Sequence, residues 1–324
     1  MKNNKYKIKI NYILRMIGSS FLISMLLCSL GCSKKEAVQY QNEIIVERNY
    51  DGNSLVSEEN TEKQENTEKV AATEENPIHE ISLNKEWKYA EFSEINSGNA
   101  ILYKSCNDRK NIVVGVNAGH GTKGGQSVKT YSHPDKTPKV TGGTNKEGAV
   151  KSTAVSAGMT FKDGTEEAYV TLKVAQNLKE KLLNEGYDVL MLRDNEDVQL
   201  DNIARTVIAN NVANCIVSIH FDGDTLDYDK GCFYISVPEG IKNMEPVASN
   251  WQQHEKLGKA LVEGLKESGC KIYQDGKMVI DLTQTSFSTV PSVDIELGNQ
   301  MSPHDEDYLN KLAEGLVLGV NRFY

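Results

Sequence analysis

The apolar run IVVGVN, Ile112 to Asn117, breaks off into small residues, and the first side chain beyond them that can do chemistry is His120, set between Gly119 and Gly121. A second imidazole, His220, ends the run CIVSIH, and Glu296 lies near the end of SVDIEL. In α/β sheets, function collects beyond the carboxyl ends of strands. Three residues from distant parts of the sequence are therefore expected at one end of a sheet. A fourth, Glu167, follows from helical geometry. In the helix that starts near Thr165, Ala168, Val170, Val174, Ala175, Leu178 and Leu182 form the apolar face, and Glu167 projects near its middle, with Glu166 at the margin. A carboxylate on a buried face is costly unless a cation or several donors meet it, so Glu167 needs a partner. Its place in the first helical turn helps by under about 1 kcal/mol. Two imidazoles, one carboxylate and an open position make a catalytic zinc site, and the flanking glycines let the backbone turn and leave the His120 ring accessible.

These residues need a scaffold, and the text from about Asn111 onward alternates between strands and amphipathic helices. YDVLML, CIVSIH, CFYISV, MVIDL and SVDIEL join IVVGVN as short strands. Asp201 to Ala213 places Ile203, Val207 and Ile208 on one side of a helix, and Asp305 to Asn321 carries a wide apolar stripe from Leu309 to Val320. Strand, helix, strand in succession predicts an α/β domain with a mostly parallel sheet covered by helices on both faces, a single catalytic domain over 111–324. Residues 86–110 form a lead-in that adds an edge strand or packs outside. Residues 122–165 show no periodicity, are rich in Gly, Ser and Thr, and carry seven lysines against three acids. Running between two candidate ligands, this insertion reads either as a lid or glycan-contacting flap or as a solvated loop.

In this order, VNAGHG, EAYVTLKVAQNLKEKLLNEGYDVLMLR, ARTVIAN, CIVSIH and PSVDIELG resemble the successive landmarks of the zinc-dependent N-acetylmuramoyl-L-alanine amidases of the AmiC-like class. The resemblance covers about residues 111–324. It implies that His120, Glu167 and His220 hold Zn2+, that Glu296 is the catalytic carboxylate, and that the substrate is the amide joining the lactyl group of N-acetylmuramic acid to L-alanine in peptidoglycan. The chain departs from that pattern at Asn117 and Ala118, where the family usually shows Asp and Pro, and at Thr122, where a glycine is common. Asp294 inside the last strand motif and Asn299, in place of an aromatic residue, are further departures. They bear on substrate fit more than on zinc.

Zinc lowers the pKa of bound water from about 15.7 to about 7, which makes hydroxide available roughly 12 kcal/mol more readily. Glu296 would take the water proton during attack and return it to the departing amine. Plainer readings stand beside these. Glu296 could pair with Arg193 or Arg205, and Asp294, on the same strand face, could tune Glu296 or belong to a polar network. His133 is the only rival ligand, and its surroundings read as surface. His79 falls in a tether, His254 in a partly buried helical stretch, and His304 near a helix start. The alternatives to an amidase are a catalytically silent or regulatory peptidoglycan-binding lipoprotein, or another zinc peptidase.

The N-terminal flank bounds location and partners. Lys2, Lys5, Lys7, Lys9 and Arg15 precede the apolar MIGSSFLISMLLCSL, and Gly31 and Cys32 follow. That order resembles a bacterial lipoprotein signal over 1–31, which implies export and a lipid anchor at Cys32 on the outer side of the cytoplasmic membrane; an ordinary secretory signal or an uncleaved anchor is the alternative. Residues 32–85, with ENTEK twice and few large apolar residues, form an acidic tether. A formal net charge of −9, made more acidic by loss of the basic leader, excludes a general nucleic-acid binder. The sequence assigns no protein activator. Cys106, Cys215, Cys232 and Cys270 show no ligand-like spacing, and no disulfide pairing can be assigned.

Overall fold

The apolar runs become the middle of one eight-stranded sheet. The computed structural model describes residues 78–324; the leader, Cys32 and the tether up to residue 77 lie outside the described residues. The sheet strands are β1 (Ile78–Ser82), β2 (Asn99–Tyr103), β3 (Val113–Ala118), β6 (Asp188–Met191), β7 (Cys215–Asp222), β8 (Cys232–Ser236), β9 (Ile272–Val279) and β10 (Ser292–Asn299), in the order β1-β2-β6-β3-β7-β10-β8-β9. β6, β3, β7 and β10 are mutually parallel, and antiparallel pairings enter only on either side of them. Parallel strands covered on both faces read as continuous apolar runs, which is why Val114, Val116, Val217, Ile219, Val293 and Ile295 are all buried.

Helices α1 (Glu167–Asn184), α3 (Val247–Glu267) and α5 (Glu306–Phe323) cover one face, joined to it by a core that runs from Val116 and Val217 to Leu178, Leu261 and Leu316. α3 and α5 cross backbone to backbone. A Cβ on Gly264 would meet the Gly315 carbonyl at 2.3 Å, so only glycine permits the approach. α2 (Asn202–Val212) and α4 (Thr283–Phe287) lie on the other face, where Ala204 and Ile208 pack on Leu190, Leu192 and Ile216. Asp201 caps α2 by accepting from Ala204 N at 2.8 Å, and its other oxygen accepts from Glu94 N and Ile95 N. That carboxylate thereby ties the lead-in segment to the domain.

Three boundaries differ from the sequence reading. Residues 78–82, placed in the tether with His79, form edge strand β1, mostly exposed and therefore polar enough to pass for linker. The lead-in supplies β2, which pairs with β6 inside the sheet. The strand expected at MVIDL begins earlier, at Ile272. As an edge strand paired only with β8, β9 carries exposed Gln274 and Asp275, which hid its pattern. Cys215, Cys232 and Cys270 are buried, Cys106 is exposed, and none is bridged.

Candidate metal centre and active-site cleft

His120 leaves β3 with φ of 68°, a left-handed backbone that a non-glycine residue adopts only when its surroundings impose it. Those surroundings are two buried arginines. Arg193 donates to the carbonyls of Ala118, Gly119 and Ala168, and Arg205 to those of Ala118 and His120 and to Thr122 Oγ1. The arginines therefore clamp the loop rather than pair with Glu296, which corrects that alternative. Burial pulls them down, Arg193 to about 10 and Arg205 to about 9, so both stay charged near neutrality. The signal for this clamp was an arginine on the apolar side of α2, between Ala204 and Ile208. Gly119 serves close approach more than turning, since a Cβ there would stand 2.3 Å from the His220 ring.

Glu167 opens α1 and is buried, as its helical position requires. Its partners are now visible. Oε1 faces His120 Nε2 at 2.7 Å and His220 Nδ1 at 3.3 Å and accepts from Phe221 N at 3.0 Å. Oε2 accepts from Met159 N at 2.8 Å. His220 Nδ1 and His120 Nε2 are 3.1 Å apart. The Ser156 carbonyl accepts from His120 Nδ1 at 2.9 Å; because a carbonyl only accepts, the proton sits on Nδ1 and the Nε2 lone pair points into the cluster. Burial would raise the Glu167 carboxyl, but the two imidazoles outweigh it and hold the acid far below its usual range. Burial alone would lower His220, yet Glu167, Asp294 and Glu296 lift it to about 9. His120, Glu167 and His220 thus bring three possible ligand atoms within 4.8 Å of one another, the one such group of three among the described residues.

Glu296 stands beside His220 across the β10–β7 register, partly open to the cleft, with a buried and partnerless Oε2. Burial pushes its carboxyl well above the usual range; His220 opposes this, while Glu167, Asp222 and Asp294 add to it. Asp294, one step back along the same face, is fully enclosed and also raised by burial. A cleft of about 730 Å³ opens over these residues. Lys139, Gly142 to Asn145 and Ser156 to Met159 of the insertion line it, opposite Ile280 to Gln284.

The insertion is a built wall rather than a solvated loop. Its strands β4 (Lys129–Tyr131) and β5 (Lys151–Thr153) pair antiparallel, and His133 is buried, not at the surface as its sequence neighbours suggested. His133 Nε2 meets Asp281 Oδ1 at 2.9 Å, Val140 N donates to Asp281 Oδ2 at 2.8 Å, and Asp281 N donates to Thr141 Oγ1 at 2.8 Å. His133 is thus no rival metal ligand. His254 is buried in α3, where Nδ1 accepts from Ser292 N, and His304 pairs with Asp163 at 3.0 Å.

Residues 114–316 match the family model described as Amidase_3, N-acetylmuramoyl-L-alanine amidase. The fold is similar to crystal structures of the N-acetylmuramyl-L-alanine amidase Ami1 from Mycobacterium smegmatis (TM-score 0.54, 20% identity, covering 66% of this chain and 96% of that one). The apo form of Ami1 from Mycobacterium abscessus is comparable (TM-score 0.52, 19% identity, covering 66% and 98%). No curated protein sequence matches the chain. At these identities the structural likeness establishes the fold, and the family match, spanning more than half of the chain, establishes membership: the chain belongs to the Amidase_3 family and is an N-acetylmuramoyl-L-alanine amidase of peptidoglycan.

Proposed function

We propose that the amidase is zinc-dependent, with His120, Glu167 and His220 as the metal ligands and Glu296 as the group that moves the proton. The convergence of His120 Nε2, Glu167 Oε1 and His220 Nδ1 at separations of 2.7, 3.1 and 3.3 Å carries this reading. Zinc bonds of 2.0–2.1 Å in tetrahedral geometry space their donors about 3.3 Å apart. The donors therefore fit the ion after small outward shifts, and the second oxygen and second ring nitrogen of Glu167 and His120 already have backbone partners.

When bound, zinc supplies a Lewis acid that polarises the scissile carbonyl and makes a water nucleophilic at neutral pH. The chain's own residues do the rest. Glu296, held in a poorly solvated wall with its carboxyl raised, takes the proton of the attacking water and gives it to the departing L-alanine amine. Arg193 and Arg205 keep the His120 loop from relaxing its strained backbone. The insertion and the Ile280 to Gln284 segment wall the cleft in which the lactyl amide lies.

We further propose that the enzyme is exported and tethered by lipid at Cys32 to the outer side of the bacterial cytoplasmic membrane, with 32–77 spacing the domain from it. The basic residues, apolar stretch and Gly31-Cys32 order of the N-terminus support this. No helix among the described residues is long and apolar enough to cross a membrane.

The catalytic reading is tested by metal analysis and product chemistry together. Purified chain should carry about one zinc, lose hydrolysis with chelator and regain it with zinc, and release new L-alanine amino termini from sacculi, read by mass spectrometry. Cleavage within the stem peptide with the lactyl amide left intact would sink it. For the anchor, fatty-acid labelling that survives Cys32→Ser would do the same.

A further inference from the structure

Two buried side chains beside the candidate metal centre, His220 and Asp294, each keep a polar atom without a hydrogen-bond partner. His220 turns Nδ1 toward His120 and Glu167, which leaves Nε2 against β10, where it has no partner; Asp294 Oδ1 has none either. The Asp294 Oδ2 to His220 Nε2 separation is 3.9 Å, which a modest side-chain rotation closes to hydrogen-bond length. Among the described residues His220 is the only basic side chain within ion-pair reach of Asp294, whose own exposure is 3%. A carboxylate so enclosed is expensive to keep unless it serves that ring.

The sheet register explains how Asp294 is held there. Asn117, Ser218 and Asp294 occupy one row across β3, β7 and β10. Arg205 Nη1 donates to Asn117 Oδ1 at 3.1 Å, and Asn117 Nδ2 donates to Ser218 Oγ at 3.1 Å. The Ser218 hydroxyl that accepts from Asn117 is the neighbour of Asp294 in register across β7 and β10. A polar row thus runs from buried Arg205 through Asn117 and Ser218 to the strand position of Asp294, beside His220.

We propose that Asp294 is a positioning residue for His220. It accepts from Nε2–H, fixes the tautomer that leaves the Nδ1 lone pair free, and strengthens that nitrogen as a donor to a divalent ion. The inference rests on the reading that His120, Glu167 and His220 hold zinc. It assigns a role to an acid whose position in the strand departs from the resemblance that identified the other site residues, and it makes Asn117 and Ser218 parts of the same device.

The test is zinc affinity of the full chain by competition with a chromophoric chelator, with Co2+ absorption reporting the ligand field and thermal melting of the metal-free protein reporting structure. Asp294→Leu should weaken zinc by about 10- to 100-fold, and Asp294→Asn, which keeps an acceptor but not the charge, by less. Both should shift the Co2+ bands while the metal-free melting temperature holds or rises. Glu296→Gln, which removes an acid from the same strand face, should change affinity far less. Unchanged zinc affinity in both Asp294 variants, or weakening matched by Glu296→Gln, overturns the inference with the zinc reading intact. Should Asp294→Leu not fold, the near-isosteric Asp294→Asn decides alone, and wild-type affinity there overturns it. Wild-type protein that takes no zinc, or His220→Ala that binds it as tightly, refutes the underlying reading instead.

Discussion

Glu296 and Gly119 make opposite demands on the site, one chemical and one steric. Glu296 contributes nothing to the donor cluster, so its replacement should separate chemistry from metal binding. Glu296→Gln is expected to keep about one zinc per chain and a wild-type melting curve while losing roughly 10²- to 10⁴-fold in kcat, the usual worth of a positioned proton carrier. A variant that keeps half its activity would remove Glu296 from this role. Gly119→Ala should do the reverse, because its methyl would occupy space 2.3 Å from the His220 ring. The ring must move, and with it Nδ1. Loss of zinc affinity by at least an order of magnitude, measured by dialysis against buffered zinc, is the expected result; retained affinity would mean that β3 shifts instead. The placement of His120, Glu167, His220 and Glu296 around one cleft was readable from sequence because each follows a strand end or a helical phase. The clamp left only one trace, Arg205 on the apolar side of α2, because Arg193 and Arg205 act on backbone carbonyls that the sequence does not distinguish.

The insertion shows the same limit at the level of an element. A segment such as SHPDKTPKVTGGTNKEG is polar throughout, so composition gives no sign that His133 and Lys139 are buried. What buries them is Asp281, almost 150 residues later in the chain, and such pairings exist only in three dimensions. Its carboxyl is pushed up by burial but held below its usual range by His133, Lys139 and the Val140 amide. Breaking a buried polar pair strands the remaining partner. His133→Ala is therefore expected to lower stability by about 2–4 kcal/mol in urea melts and to speed proteolytic cutting within 122–165. Because Ser156 and Met159 carry that wall to His120 and Glu167, zinc affinity should fall as well. Destabilisation without faster cutting in the insertion would show that His133 supports the sheet edge rather than the wall. Among the other elements, β3 and the start of β7 were legible because burial on both faces leaves an apolar run, and β10 because Val293, Ile295 and Leu297 alternate with polar residues, whereas edge strands β1 and β9 answer to solvent on one side and lost that pattern.

Across the whole molecule, the four parallel strands bring the ends of β3, β7 and β10 side by side, and the price of a core packed on both faces is that polar groups inside it must stay neutral or paired. His254 is the clearest neutral case. It lies in α3 against β10, 3% exposed, and burial lowers it from 6.5 to about 4. Its Nδ1 accepts from Ser292 N at 2.9 Å, a bond that a proton on Nδ1 would abolish. In the unfolded chain the same imidazole takes up a proton below about 6.5. Between that value and about 4 the unfolded state therefore binds the extra proton, and the contribution of this residue to stability falls as pH drops through the window. A shift of that size corresponds to about 3 kcal/mol at its acid end and to nothing above neutrality. Glu296 and Asp294, both raised in the folded state, act in the opposite sense as the pH falls, so the total curve alone does not isolate His254. The difference from His254→Asn does, since an amide oxygen can still accept from Ser292 N without titrating. Denaturation at pH 7.5 and at pH 4.5 should show the wild type losing more stability than the variant by about 2–3 kcal/mol. Equal losses in the two proteins would mean that His254 is reached by water and protonates in place.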